Sequence, residues 1–100
     1  MSVNENEQIT FERVKEVKKF HEDELMSKAN VVGVGIGFRH EGGTRTEKLA
    51  LVIMVERKLP VSQLAPKDLI PAEIEGVPVD VQEVLSVFHF LREYLGLQTQ

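Results

Sequence analysis

Three residues of the sequence have the side-chain types of a nucleophilic catalytic triad. His40, Asp80 and Ser86 occur in the order histidine, aspartate, serine, and a working triad requires these three side chains in hydrogen-bond contact. Ser86 lacks the surrounding glycine-rich elbow or oxyanion loop that would activate a serine nucleophile. We therefore predict a loop histidine, a strand-surface aspartate and a helix-start serine, and a protein that is not an enzyme.

Other titratable residues do not form a recognisable metal or acid–base site. His21 has no second ligand one helical turn later, and the chain has no cysteine, so no zinc or calcium spacing is present. Glu73 and Glu75 resemble a pair of catalytic carboxylates, but no apolar pocket is apparent that would separate their pKa values. The sequence predicts surface carboxylates, no bound metal and no cofactor.

The glycines at positions 33, 35 and 37 need a different interpretation from a nucleotide-binding loop. Such a loop has the spacing G-x-G-x-x-G between a strand and a helix, whereas Gly33, Gly35 and Gly37 lie within an alternating strand pattern. Their stripe lets a helix, a loop or another chain approach the backbone. We interpret it as packing within the chain or as part of a partner surface, whose predicted residues are Gly33, Gly35, Gly37, Phe88, Phe90, Leu91 and Tyr94.

The elements that must position these residues begin with a helix from Thr10 to about Lys28. Thr10 has a side chain suited to capping the first amides of a helix. The residues that follow at spacings of three and four indicate one apolar face: they are Val14, Val17, His21 and Leu25, with Phe20 alongside.

Two strands joined by a short loop follow the helix. Residues 31–38 alternate with a period of two, and the polar stretch 40–47 contains adjacent glycines that can take the positive φ of a hairpin loop. Residues 49–56 are apolar on both faces, which is typical of a central strand. The sequence predicts a β-hairpin.

The remaining chain predicts a proline-rich strap, a third strand and a terminal helix. Pro60, Pro66 and Pro71 exclude a long helix between residues 57 and 76, and the apolar residues there indicate a strap lying on the core. Residues 77–84 alternate as a strand. Residues 85–95 are predicted to be a helix that ends at Gly96, with a continuation of the strand to Phe90 as the alternative.

These elements predict an α+β fold. It has an N-terminal helix, a three-stranded sheet in the order 1-2-3 and a C-terminal helix, with the first two strands antiparallel and the third parallel to the second. Residues 1–8 are predicted to be a disordered tail, and residues 9–100 a single domain.

Composition excludes several classes of partner. The chain has 100 residues with 12 Lys and Arg against 16 Asp and Glu, a net charge of −4, which disfavours binding to nucleic acid. The N-terminal residues lack the pattern of a signal peptide, and no apolar run approaches the ~20 residues that span a bilayer. We expect a cytoplasmic protein that binds neither nucleic acid nor a membrane.

Three spaced blocks carry a family resemblance. NVVGVGIG at residues 30–37, LALVIMVERKLP at 49–60 and IPAEIEGVPVDV at 70–81 together resemble the N-terminal region that precedes the trypsin-like peptidase domain in a group of bacterial and plant proteins. The resemblance covers about residues 11–84. It implies a stand-alone homologue of that accessory region or a truncated relative, without protease activity, because the catalytic triad of that group lies downstream of this region.

Two classes of function remain from the sequence. The first is a non-catalytic binding or assembly module that self-associates, most simply as a homodimer, because residues 85–95 are apolar around most of a helix and the first strand carries no inward charge. The second is a small enzyme or ligand-binding protein that uses His40 or the proline-rich loop. A deep pocket lined by a histidine and carboxylates would favour the second class.

Overall fold

The computed structural model describes residues 9–84, which form one helix and four strands. In chain order these are α1 (Phe11–Met26), β1 (Val31–Glu41), β2 (Thr44–Val55), β3 (Glu73–Ile74) and β4 (Val77–Glu83), with single 3-10 turns at Val61–Gln63 and Pro66–Asp68. The strands form one sheet in the order β1-β2-β4-β3. β1 is antiparallel to β2, β2 is parallel to β4, and β3 is antiparallel to β4.

Helix α1 begins and ends where local side chains satisfy its backbone. The hydroxyl of Thr10 accepts a hydrogen bond from Arg13 N at 3.1 Å, which confirms the predicted N-cap. At the other end, Ser27 N donates to the carbonyl of Asp23 at 3.1 Å, and the helix stops two residues before Lys28. The predicted apolar face is buried through Val14, Val17 and Leu25, but Phe20 is 80% exposed, so its placement beside that face is wrong.

Asn30 joins the start of β1 to the end of β2. Its φ of 76° lies in the left-handed region, which asparagine tolerates better than most residues. Its carbonyl accepts a hydrogen bond from Glu56 N at 2.9 Å, and its side-chain oxygen accepts one from Arg57 N at 3.2 Å. The side-chain amide also donates to the Arg57 carbonyl. These bonds join the residue before β1 to the two residues that follow β2.

The predicted hairpin is present, with longer strands than the pattern indicated. Gly42 and Gly43 have φ values of 60° and 80°, which supply the two positive angles of a tight hairpin turn. The strands pair regularly from Gly33 to Phe38, and the register shifts at both ends of this stretch, between Val31 and Gly33 and between Phe38 and His40. β2 lies between β1 and β4, as its two apolar faces predicted.

The core lies between α1 and one face of the sheet. Side chains of the helix meet alternate residues of the strands, because alternate strand residues point to the same face. The fully buried members include Val14, Val17, Leu25, Leu51, Ile53 and Val77.

The predicted architecture is wrong in its sheet, which has four strands rather than three. Residues 9–84 contain a four-stranded mixed sheet and one helix. The missed strand, β3, has only two residues, which is too short to show a period of two, and it turns into β4 through Glu75 and Gly76 at φ values of 50° and 81°. The predicted parallel pairing of the Val77 strand with β2 is confirmed. The predicted helix at residues 85–95 and tail at 1–8 lie outside the described residues.

Candidate functional site

The glycine stripe of β1 lies on the face of the sheet opposite to α1. Gly35 and Gly37 pair with Val52 and Ala50 of β2. A Cβ atom added at Gly37 would lie 3.1 Å from Val52 Cγ2, and one added at Gly35 would lie 3.6 Å from Met54 Cε. In the part of the chain that the structure describes, side chains of β2, rather than another backbone, are nearest to the stripe.

A polar cluster lies on the same face. Asp80 of β4 alternates with Val79 and Val81, which pack against the core, so its side chain points to the glycine side. Its Oδ2 atom accepts hydrogen bonds from Gln82 Nε2 at 2.9 Å and from His40 N at 3.3 Å. The His40 ring also approaches it, with Nδ1 3.3 Å from Oδ2.

This cluster brings together two of the three residues that the chain order suggested. Asp80 is largely buried and His40 is half-exposed. Burial raises the pKa of Asp80, but the hydrogen bonds from Gln82 and His40 outweigh it, so the pKa lies below its ordinary value. The carboxylate is therefore ionised at neutral pH and can orient the imidazole. Ser86 lies outside the described residues.

The contacts of His40 within residues 9–84 hold its ring in place. Among residues 9–84, the hydrogen bonds of its ring go to Asp80 and Gln82, and no hydroxyl group is in contact with it. Nucleophilic catalysis needs a nucleophile within reach of the base. The pair of His40 and Asp80 instead ties the tip of the β1–β2 hairpin to β4, across the intervening strand.

A second histidine–carboxylate pair lies on the helix side of the sheet. His21 Nε2 is 2.6 Å from Glu75 Oε2, and Arg13 Nη2 donates to Glu75 Oε1 at 3.3 Å and to the Glu75 carbonyl at 3.1 Å. The side chain of Glu75 is thus held by two residues of α1. It was predicted to be a surface carboxylate, and its side chain is 41% exposed while it ties the helix to the turn between β3 and β4.

The pKa values of this pair move in opposite directions. The hydrogen bond with Glu75 raises the pKa of His21 above its ordinary value, and the bond with Glu24 adds to the effect. The hydrogen bond with His21 lowers the pKa of Glu75, with a further contribution from the charge of Arg13. Both shifts favour the charged forms, so the contact is an ion pair at mildly acidic pH.

The proline-rich segment covers a mainly apolar recess of about 240 Å³. Asp68 at its edge is 7% exposed and accepts a hydrogen bond from Ala29 N at 2.9 Å, and this bond lowers its pKa. The residues that line the recess include Val55, Leu59, Leu64, Leu69, Ile70 and Val81. No histidine is among the described lining residues, so the recess lacks the histidine and paired carboxylates of a typical hydrolytic site.

The two edges of the sheet differ in length and charge. β1 forms one edge with 11 residues, and its first eight, 31–38, contain neither a charged residue nor a proline. β3 forms the other edge with two residues. Val32, on β1, is 47% exposed. A long uncharged edge is the usual place where a strand is added from another chain.

Two classes of feature are absent from residues 9–84. No group of three histidine or acidic side chains is arranged to hold a metal ion. The helix that lies in this range is neither long nor apolar enough to cross a bilayer.

The fold and the site define a small α+β domain whose histidine and carboxylate side chains tie its elements together. The sequence pattern of the family described as the NARROW LEAF 1 N-terminal domain matches residues 7–87. The chain belongs to this family. The match agrees with the predicted likeness to an N-terminal region, while the trypsin-like peptidase context remains a prediction. A search of curated proteins finds no match.

Proposed function

We propose that this protein is a non-catalytic binding and assembly module. Its family is one of N-terminal domains, and its described histidines are engaged in contacts between elements. His21 ties α1 to the β3–β4 turn, and His40 ties the hairpin tip to β4. These contacts support a structural use of the same residue types that hydrolases use for chemistry.

The observation that carries the proposal is the unequal protection of the sheet edges. A sheet edge presents unpaired N–H and C=O groups, and proteins normally shorten it or place charges on it. The β3 edge is short, whereas β1 presents residues 31–38 without a charge. An assembly module needs one such edge, and this domain has it on one side.

The resemblance adds a finer proposal. The domain acts as an accessory module of the kind that accompanies a trypsin-like peptidase domain, without itself carrying that activity. We also propose a homo-oligomer in the cytoplasm. The apolar residues 85–95, including Phe88, Phe90, Leu91 and Tyr94, were predicted from the sequence to supply contact; they lie outside the described residues.

Light scattering together with a turnover assay tests this function. The purified full chain at micromolar concentration is expected to have more than the mass of one chain and to leave generic peptide and ester substrates intact. A monomer would contradict the assembly function. Hydrolysis that is lost in both His40→Ala and Ser86→Ala would contradict the non-catalytic function. It would support a catalytic triad that contains these two residues.

The recess under the strap supports a second candidate, the binding of a small apolar ligand. Its volume of about 240 Å³ is below the ~300–1,000 Å³ of common ligand pockets, so only a small ligand fits. An apolar fluorescent dye should bind the natural full chain. It should bind the Leu64→Trp variant more weakly, because the larger side chain fills the recess. The matched control is Gln63→Trp, at an exposed residue next to Leu64 that does not line the recess. Equal dye binding by both variants would exclude the recess.

A further inference from the structure

We infer that the strand added to the β1 edge comes from a second copy of this chain, and that the two β1 strands pair antiparallel about a two-fold axis at Gly35. This inference rests on the proposed assembly function and names its surface and its partner. The result would be a continuous eight-stranded sheet in which both helices lie on the same side.

The backbone of β1 has the groups that such pairing needs. Within residues 9–84, its only backbone-to-backbone hydrogen bond outside the pairing with β2 is the one that Val31 N donates to the Lys28 carbonyl at 3.3 Å. Alternate residues of an edge strand point their N–H and C=O groups away from the sheet. Among the described strands only β2 lies beside β1, so within residues 9–84 these groups can pair with an added strand of opposite direction.

The sequence of β1 is complementary to itself in one register. Antiparallel pairing about Gly35 places Gly33 opposite Gly37 and Val34 opposite Ile36, so each residue from 33 to 37, within the stretch that pairs regularly with β2, faces an uncharged residue. Arg39, the first charged residue of the strand, lies beyond that stretch, in the register shift between Phe38 and His40. No like charges are then opposed within the pairing, whereas such opposition destabilises a sheet.

The helix flank above this edge is also self-complementary in charge. Arg13 reaches Glu75 in the β3–β4 turn, so its flank of α1 faces that side of the sheet. At about 100° per residue, Phe11, Lys18 and Glu22 fall on the other flank, nearer to β1. Lys18 and Glu22 form an ion pair of 3.0 Å, and they offer opposite charges to an antiparallel second copy. Phe11, 51% exposed, adds apolar surface.

Single-cysteine variants of the full chain read this register directly, because the natural chain has no cysteine. The variants are Gly33→Cys, Gly35→Cys and Gly37→Cys, each oxidised mildly. Opposed residues in an antiparallel pair have Cα atoms about 4.5–5.5 Å apart, within the range of a disulfide. Gly35→Cys is therefore expected to form a disulfide-linked dimer.

The other two variants give a stronger test when they are mixed. In the proposed register, two copies of Gly33→Cys place their cysteines about 13 Å apart, because four residues separate their positions along the strand, and the same holds for Gly37→Cys. Neither variant should cross-link alone. An equimolar mixture should cross-link Gly33→Cys to Gly37→Cys. The control is Ser62→Cys, on the exposed strap, which reports random collisions.

A charge placed on the edge supplies an independent measurement. Val32→Lys should raise the dimer dissociation constant by about tenfold or more, because lysine on an edge opposes strand pairing. Val61→Lys makes the same change at an exposed valine of the strap and should leave the constant unchanged. Circular dichroism of both variants verifies that they are folded.

The outcomes separate this inference from the proposed function. A dimer by light scattering with no cross-link at Gly35→Cys, or with equal cross-linking of all three glycine variants to themselves, would overturn the β1 register and leave assembly standing. A monomer at all accessible concentrations would overturn both the β1 register and the proposed assembly function. Cross-linking of Gly35→Cys and of the mixture, above the Ser62→Cys control, supports the inference.

Discussion

The sheet face that carries α1 and the face that carries the glycine stripe each hold one histidine–carboxylate pair. On the helix face, His21 and Glu75 lie 2.6 Å apart and join α1 to the β3–β4 turn. On the glycine face, His40 and Asp80 lie 3.3 Å apart and join the hairpin tip to β4. Both pairs join a histidine to a carboxylate, but their surroundings differ.

The difference lies in what else stabilises each face. The helix face buries the apolar side chains of α1 against Leu51 and Ile53, so its ion pair is an addition to a hydrophobic core. The glycine face has no helix on it within residues 9–84, and its polar cluster lies beside the small side chain of Ala50 and the stripe of glycines. We expect the loss of apolar side chains to lower the free energy of unfolding on the helix face. On the glycine face we expect the loss of polar side chains to lower it.

The largest expected effect comes from the helix face. Ile53 is fully buried, so Ile53→Ala should lower the free energy of unfolding by about 2–5 kcal/mol, a large part of a total of ~5–15 kcal/mol. Urea denaturation measures it. The comparison is made between valines: Val77→Ala on the helix face, where Val77 is fully buried, and Val52→Ala on the glycine face, where Val52 is 7% exposed. If both variants lose the same stability, the two faces are packed alike and the comparison fails.

The next effect concerns the polar cluster of the glycine face. Asp80→Ala removes the acceptor of Gln82 and of His40 N and should lower the free energy of unfolding by about 1 kcal/mol. Asp80→Asn keeps the shape and one acceptor oxygen and should cost less. Chemical denaturation of both variants checks the ranking. An Asp80→Ala protein as stable as the natural one would show that the cluster does not fasten the hairpin.

A smaller effect, of opposite sign, is expected at the glycines. A Cβ atom at position 35 makes an ordinary contact with Met54, so Gly35→Ala should raise the free energy of unfolding by about 0.5–1 kcal/mol through a less flexible unfolded chain. Gly37→Ala should raise the free energy of unfolding by less. The added Cβ atom would lie 3.1 Å from Val52 Cγ2, and a valine side chain is stiff. A larger gain at position 37 would contradict this geometry.

The smallest effect is a change in pH dependence on the helix face. Because the pKa of His21 is raised, its contribution to the free energy of unfolding is fully present below the unfolded pKa of 6.5. That contribution is lost as the pH rises through the folded pKa. Because the pKa of Glu75 is lowered, its contribution is present above 4.5 and is lost as the pH falls through the folded value. The pair therefore contributes most between these unfolded values.

The Glu75→Gln variant should therefore melt at a lower temperature than the natural protein. This difference should become smaller as the pH rises above 6.5 through the folded pKa of His21. Thermal melts across the pH range measure this. Glu73→Gln is the control, because it removes the same charge two residues away. If both variants follow the same pH profile, the pair of His21 and Glu75 does not couple to folding.

Local pattern was sufficient for some elements and not for others. Thr10 and the apolar spacing of α1 predicted a real helix, and Gly42 with Gly43 predicted the hairpin turn, because capping and turn geometry depend on a few adjacent residues. β3 was missed because two residues carry no period. Phe20 was misplaced because its position at the margin of the apolar face did not show which side the sheet covers.

The sequence by itself therefore determined the helix, the hairpin, the central position of β2 and the family likeness, since each depends on contiguous residues or on ordered blocks. Only the tertiary structure decided the roles of His21 and His40. Their partners Glu75 and Asp80 are 54 and 40 residues away along the chain, and such pairs form only when the strand order brings them together. The position of β1 at the edge of the described strands is decided in the same way, because an edge exists only once every other strand has its place.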